Sequence, residues 1–402
     1  MPEYAKIPMK DVYNEAVELC YNDEALPEEE LCSRLKPILN ARPDVVHETD
    51  EEGCTLLHHA AQKRQIDFCK LLVEKDAHLV SVKMPTPQGW LPFHGACCDC
   101  NVNVITYLYH LYPQSIMVPI NDGVYPLDML LQFISTYGFD DKSIAMTRFF
   151  LQHDNGAVST PIKRVGYLPL HSAVLTESLE VVQMVYDSFP EAIFGRDKDG
   201  ETPLDHARMY SGSADIVSSY FVNHYADIVS FFETQLEVIN QASEGDEPDQ
   251  NGQHYIHRAV RNTHVSVGTI KLIIEANPGS MTAADNQGHT PLHIASQVGN
   301  EEAVQYLVAT HEDLLMARDD NGNLPIHLAC LAGKCNIIKY LTATFGCENT
   351  DGKLPIELLL YESVADLDRD ITEYIAAVDL LLRSNPVHAL ERLSATRSNT
   401  LG

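Results

Sequence analysis

Between residues 53 and 390 the apolar positions fall into short runs of helical spacing, interrupted at a nearly constant interval by a glycine. Nine such segments align: GCTLLHHAA from Gly53, GWLPFHGAC from Gly89, GVYPLDMLL from Gly123, GYLPLHSAV from Gly166 and GETPLDHAR from Gly200. GQHYIHRAV from Gly252, GHTPLHIAS from Gly288, GNLPIHLAC from Gly322 and GKLPIELLL from Gly352 complete the series. Successive glycines stand 36, 34, 43, 34, 52, 36, 34 and 30 residues apart. A period of this size marks stacked supersecondary units that cannot bury their apolar faces alone.

Each position in the segment has a physical reason. Dipeptides such as Asp122-Gly123, Asp199-Gly200, Asn251-Gly252, Asn321-Gly322 and Asp351-Gly352 supply the positive φ of a tight hairpin. In the seventh copy Thr290 is placed to cap a helix, with Pro291 at its first turn, where a missing N–H costs nothing. Small residues two positions after the histidine (Ala60, Ala96, Ala173, Ala259, Ala295, Ala329) let paired helices approach closely. The second helices carry apolar stripes, as in Leu179, Val181, Val182 and Val185. Pro43, Pro113, Pro190 and Pro278 each lie ten residues before an anchor glycine. They are expected to stop a second helix and start an extended return to the hairpin.

Nine glycine-led segments in phase, one with a full Thr-Pro-Leu-His, resemble the ankyrin-repeat family over residues 31 to 390. The resemblance implies an all-α fold with short β-hairpin loops. The architecture so implied is an ankyrin-repeat α-solenoid of right-stacked helix-turn-helix units with a concave binding face. It also implies that the repeat histidines, His58, His94, His171, His257, His293 and His327, hydrogen-bond the backbone of neighbouring hairpins. The expected organisation is a helical capping region (1–52), repeats one to three (53–156) and repeats four and five with a lengthened second helix (157–241). An acidic loop (242–251), repeats six to nine (252–390) and a disordered tail (391–402) follow.

The breaks in the period are informative. The histidine position holds Asp128, Asp205 and Glu357 in the third, fifth and ninth copies, which are also the copies with extra length. Lengthened repeats therefore close blocks of one to three, four to five and six to nine, and a change of curvature is expected after each. In the fifth copy, apolar residues from Ala214 to Gln241 keep helical spacing. Ser243–Gln250 then reads as an exposed acidic loop, open to proteolysis and next to a hinge or bend.

Charge narrows the partners. Lys and Arg number 28 against 57 Asp and Glu, a formal charge of −29. Such a surface repels phosphate backbones and anionic leaflets and draws in basic partners. Direct nucleic-acid binding is not expected. No run approaches the 18 apolar residues of a membrane span, and the N-terminus lacks the apolar core of a signal peptide. The ten scattered cysteines suit a reducing cytoplasmic or nuclear compartment. Cys97, Cys98 and Cys100 beside His94 lack zinc-finger spacing, so no metal is expected there, and Cys98 reads instead as an exposed, redox-sensitive thiol. No phosphate loop, nucleophile elbow or kinase signature is present, so neither catalytic residues nor cofactors are expected.

The residue after each anchor glycine is expected to face outward from the concave side. The second, third and fourth copies place Trp90, the single tryptophan, Val124 and Tyr167 at this position in succession. With Leu175 they form the expected docking patch for a protein partner. Gln253, His289, Asn323 and Lys353 make the later copies more polar. The function expected is a non-catalytic, monomeric protein-interaction scaffold. The alternative is a regulatory subunit that recruits or inhibits an enzyme through its N-terminal helices or its acidic loop.

Overall fold

Helix–hairpin–helix units follow one another along the structure, a computed structural model that describes residues 4–21, 27–63, 66–85, 89–153, 156–211, 219–362 and 371–384. The tail 391–402 and the start of the long run at Ala214 lie outside the described residues. Contacts divide the chain into two compact units, Met1–Phe232 and Glu233–Gly402.

The first unit opens with helices Met9–Cys20 and Glu28–Ala41, whose inner faces bury Val12, Ala16, Leu35 and Ile38. Helix pairs follow: Leu56–Gln62 with Ile66–Lys75, Pro92–Cys98 with Val102–Leu111, and Pro126–Tyr137 with Asp141–His153. Pro169–Val174 with Leu179–Ser188 comes next, and then Pro203–Ser211 with the 25-residue helix Ser219–Ser243. The second unit carries Tyr255–Arg261 with Val267–Ala276, Pro291–Val298 with Glu301–Thr310, and Pro325–Leu331 with Cys335–Ile338. Pro355–Glu357 and Ile371–Ser384 end its described part. No strand is present among the described residues, and none of the described helices is long and apolar enough to cross a membrane.

Seven of the first helices begin at the repeat proline, and Leu91, Tyr125, Leu168, Thr290, Leu324 and Leu354 precede it in extended conformation. The alanines two positions after the histidine are buried, with at most 3% exposure. They allow successive first helices to touch.

One side chain does the work of both cap and clip. The repeat histidines accept at Nδ1 from the backbone N–H three residues earlier, as His94 does from Leu91 (2.8 Å) and His293 from Thr290 (3.2 Å). That bond fixes Nδ1 as the acceptor, so Nε2 carries the proton. Nε2 then donates to a carbonyl near the next hairpin: His58 to Trp90, His94 to Val118, His171 to Glu201, His257 to His289, His293 to Asn323 and His327 to Lys353. These distances run from 2.8 to 3.3 Å. Asp128, Asp205 and Glu357 keep the first bond, accepting from Tyr125, Thr202 and Leu354. An ionised carboxylate has no proton to give a carbonyl, so the clip is lost at these copies.

The hairpins are built on a residue three before the glycine. Oδ1 of Asp50, Asp197, Asp249, Asp285, Asp319 and Asn349 accepts two backbone N–H groups, those two and four residues ahead. The glycine then lets the next hairpin close in. A Cβ at Gly166 (φ +80°) would lie 2.9 Å from the Lys198 nitrogen, whose N–H donates to the Val165 carbonyl at 3.1 Å. The same backbone link joins Asn286 to Asn251 and Asp320 to Gln287.

One expectation differs from the structure. The prolines that end the second helices do not begin an extended return. Pro43–His47, Pro113–Met117, Pro190–Phe194 and Pro278–Thr282 are single turns of 3-10 helix, since the fixed proline φ also suits the first position of such a turn. The segment after Ser243 is a loop of mostly exposed residues, tethered through two of its acids. Asp246 accepts from the Tyr255 N–H (2.8 Å) and the Asn277 amide (2.8 Å), and Asp249 builds the sixth hairpin.

The extra length of the fifth repeat goes into helix Ser219–Ser243. Its Ile228 and Phe232 are fully buried in the first unit, and Phe231 meets Tyr186 edge-on at 5.6 Å. In the second unit the fully buried Gln235 donates to the His264 carbonyl and accepts from the Ser266 N–H and the Thr269 hydroxyl. The boundary between the units thus falls inside one helix.

Two predictions follow from this geometry. Gly166→Ala adds a backbone clash to left-handed strain and should lose about 2–4 kcal/mol of stability. At Gly200 (φ +86°) a Cβ meets nothing within 4 Å, so Gly200→Ala should lose only about 1 kcal/mol in the same urea titration. Equal losses would contradict the hairpin stacking. Burial holds His58, His94 and His293 at about 4 and lowers the other three repeat histidines. The unfolded chain therefore binds more protons between pH 6.5 and 4, and stability present above pH 6.5 is lost as pH falls through that window. Each of the three should lose about 2 kcal/mol at pH 5. Melting temperature should drop between pH 7.5 and 5; an unchanged or higher value would contradict it.

Candidate functional site

In six of the nine repeats the residue after the anchor glycine is held from behind through its backbone N–H. The N–H groups of Cys54, Glu201, Gln253, His289, Asn323 and Lys353 donate to the hairpin carboxylate or amide. The carbonyls of Trp90, Glu201, His289, Asn323 and Lys353 take the preceding repeat's imidazole. Glu201, His289, Asn323 and Lys353 have both backbone groups bonded in this way, whereas the Val124 and Tyr167 carbonyls accept from the Ile120 and Ile162 N–H groups of their own hairpins.

Three of the four candidate docking residues come together. Val124, Tyr167 and Leu175 line one pocket of about 320 Å³, with Ile162 and Val165 as further apolar walls and Asp122 and Arg164 as charged groups. That volume is at the lower end for a site that takes a small ligand or a few side chains. Tyr167 is a fixed wall: its ring stacks on His171 at 5.5 Å and meets His206 edge-on at 5.0 Å. Burial, followed by the charges of Tyr210 and Asp197, pushes its phenol above the ordinary range. Leu175 is half-buried at the end of its helix.

Trp90 does not line this pocket. It is half-buried, and its Nε1 is buried with no hydrogen-bond partner among the described residues. Its carbonyl, by contrast, accepts from both His58 and the Met84 N–H.

The second unit shows a different surface along its hairpins. Gln253 donates to Asp285, His289 lies 3.5 Å from both Asp285 and Asp319, and Asn323 donates to Asp319. Asn349 in turn donates to Asn323. Burial alone would raise the Asp285 carboxyl, but the N–H groups of His289 and Gln287 hold it below its usual value. These side chains bond mainly to one another.

Cys98 differs from expectation. It is half-buried, and burial followed by the charge of Asp99 pushes its thiol up to about 11, away from the thiolate that oxidation requires. Cys97 is fully buried, and Cys100 ends its helix at φ +49°.

Sequence reasoning missed the hairpin acids and the caps of the second helices: Asn101, Ser178, Ser266 and Asn300 each accept a first-turn N–H. An Asp or Asn three residues before six of the nine glycines was the available signal for the acids.

Comparison with known proteins agrees with this architecture. A probable 26S proteasome regulatory subunit p28 of Saccharomyces cerevisiae is 26% identical over 176 residues, 43% of this chain and 72% of that protein. Mouse (Mus musculus) Rabankyrin-5 is 24% identical over 143 residues, 36% of this chain. The SMC5-SMC6 complex localization factor protein 1 of Bos taurus is 26% identical over 145 residues, 35% of this chain. The chain spans only 11% and 13% of the latter two proteins. The family model for ankyrin repeats matches in three copies, at residues 25–118, 228–318 and 256–353, leaving the Val124–Leu175 pocket outside the matched stretches. Together these copies span more than half of the sequence, and the chain belongs to the ankyrin-repeat family.

Proposed function

We propose that this protein is a non-catalytic scaffold that holds a protein partner on the face formed by the hairpins and first helices of repeats two to four. The observation that carries the reading is the pocket of Val124, Tyr167 and Leu175. It presents apolar walls, one of them the Tyr167 ring held by His171 and His206. An apolar or aromatic anchor of the partner would enter it, with Asp122 and Arg164 setting orientation and Trp90 extending the contact one repeat further. The net charge of −29 would speed the approach of a basic partner. The cytoplasm or nucleus is the compartment this reading expects.

A second reading, that the chain serves as a regulatory subunit of a larger assembly, is favoured by similarity to a probable 26S proteasome regulatory subunit. The two readings are compatible, since a subunit must also dock.

Leu175→Arg places a charge in the pocket while leaving the repeat histidines in place. Affinity capture with this variant and with a Trp90→Ala, Tyr167→Ala pair should reduce specifically retained partners by about 30-fold, as expected for hot-spot loss. Co-purification of 26S proteasome particles with the wild-type chain tests the second reading in the same experiment. An unchanged set of partners with both variants would refute the pocket as the docking site.

A further inference from the structure

We infer that Asp50, Cys54 and His59 of the first repeat form a binding site for a single zinc-class divalent cation. One ligand atom from each lies within 4.8 Å of the others, the only such trio of His, Cys, Asp or Glu among the described residues. Asp50 Oδ2 and His59 Nε2 are 2.9 Å apart. Thiolate, imidazole and carboxylate are zinc's usual donors, and three protein ligands leave a fourth tetrahedral position for water or a partner's group.

The surroundings are those of a supported metal site. Asp50 Oδ1 accepts from the Glu52 and Cys54 N–H groups, both at 2.9 Å, which leaves Oδ2 aimed at the imidazole. Tyr13 from the capping helix donates to the Cys54 carbonyl at 2.5 Å. Tyr21 lies 2.8 Å from His59 Nδ1, the nitrogen that does not face the trio. An oxygen partner on that second nitrogen is what orients metal-binding imidazoles. Met84 Sδ stands 3.7 Å from Cys54 Sγ, adding a soft group to the thiol side.

The fifth repeat supplies an internal comparison. Asp197 and His206 reproduce the pair at 2.8 Å, so the carboxylate–imidazole contact alone is a structural device. There the residue after the glycine is Glu201, and the two side chains are only 2% and 4% exposed. In the first repeat the thiol takes that position and Asp50 is 27% exposed, which opens a route for an ion. The Cys54 N–H bond to Asp50 and the Tyr13 bond to its carbonyl fix the backbone from which the thiol projects.

Binding needs modest movement. Zinc bond lengths of 2.0–2.3 Å would bring the ligand atoms to roughly 3.3–3.7 Å from one another. The cation replaces the hydrogen bond between Asp50 and His59. The imidazole proton shifts from Nε2 to Nδ1, where it is donated to the Tyr21 oxygen, and the Cys54 proton leaves to solvent. No oxidant or further reactant is required.

Cobalt(II) titrated into the chelator-stripped full chain tests the site. A thiolate-to-cobalt charge-transfer band should saturate at one equivalent and vanish on adding zinc. Cys54→Ser should abolish the band. Tyr21→Phe should weaken cobalt binding by about tenfold, and His59→Gln and Asp50→Asn by more than that. Asp50→Asn keeps the hairpin, because Asn349 holds the last one with the same two bonds. Circular dichroism melts confirm that each variant is folded. Absence of a saturable band in the wild-type chain, or a band that survives Cys54→Ser through the other cysteines, would overturn the assignment.

Discussion

A neutral imidazole accepts at one nitrogen and donates at the other, on opposite sides of a rigid ring. The repeats are organised around that fact. Nδ1 ends one orphan N–H at the start of a first helix, and Nε2 reaches a carbonyl of the neighbouring repeat. Burial lowers the affinity of the ring for a second proton, which keeps both roles available at neutral pH. Where the chain substitutes an acid, at Asp128, Asp205 and Glu357, the cap persists and the donor is gone. Those are the third, fifth and ninth repeats, the ones that carry extra length, so the chemistry of the link and the regularity of the period change together.

The hairpins turn this stacking into a surface. In six repeats an Asp or Asn three residues before the glycine closes the turn, and in five the clip holds the carbonyl of the residue after the glycine. Where those bonds form, side chains at these positions stand on a fixed backbone. In the first unit evolution has filled them with Trp90, Val124 and Tyr167, and in the second with Gln253, His289, Asn323 and Lys353. The first group encloses an apolar pocket, and most of the second forms a bonded polar chain along successive hairpins. Two different surfaces therefore arise on one backbone device.

Much of this was legible in the sequence because it is local. Gly166, Gly252 and Gly288 announce positive φ, Pro291 announces a helix start, and the alanines mark close helix contact. What was not legible depends on neighbours 30 or more residues away or on side chains curling back. Gln235 was one apolar-patterned helix position among many, and its three bonds to the sixth repeat require the fold to be known. Asp50 and His59 are nine residues apart, and only the hairpin brings them to 2.9 Å. Trp90, expected beside Val124 and Tyr167, is half-buried and outside their pocket. Cys98 looked exposed because helical spacing alone does not report what the next repeat covers.

The ring protonation of the repeat histidines is the most direct test of the account. Long-range proton–nitrogen correlation spectra at pH 7 read the tautomer of each imidazole separately. His58, His94, His171, His257, His293 and His327 should all be neutral with the proton on Nε2. Imidazolium forms, or neutral rings protonated on Nδ1, would contradict the clip on which the stack is argued to rest.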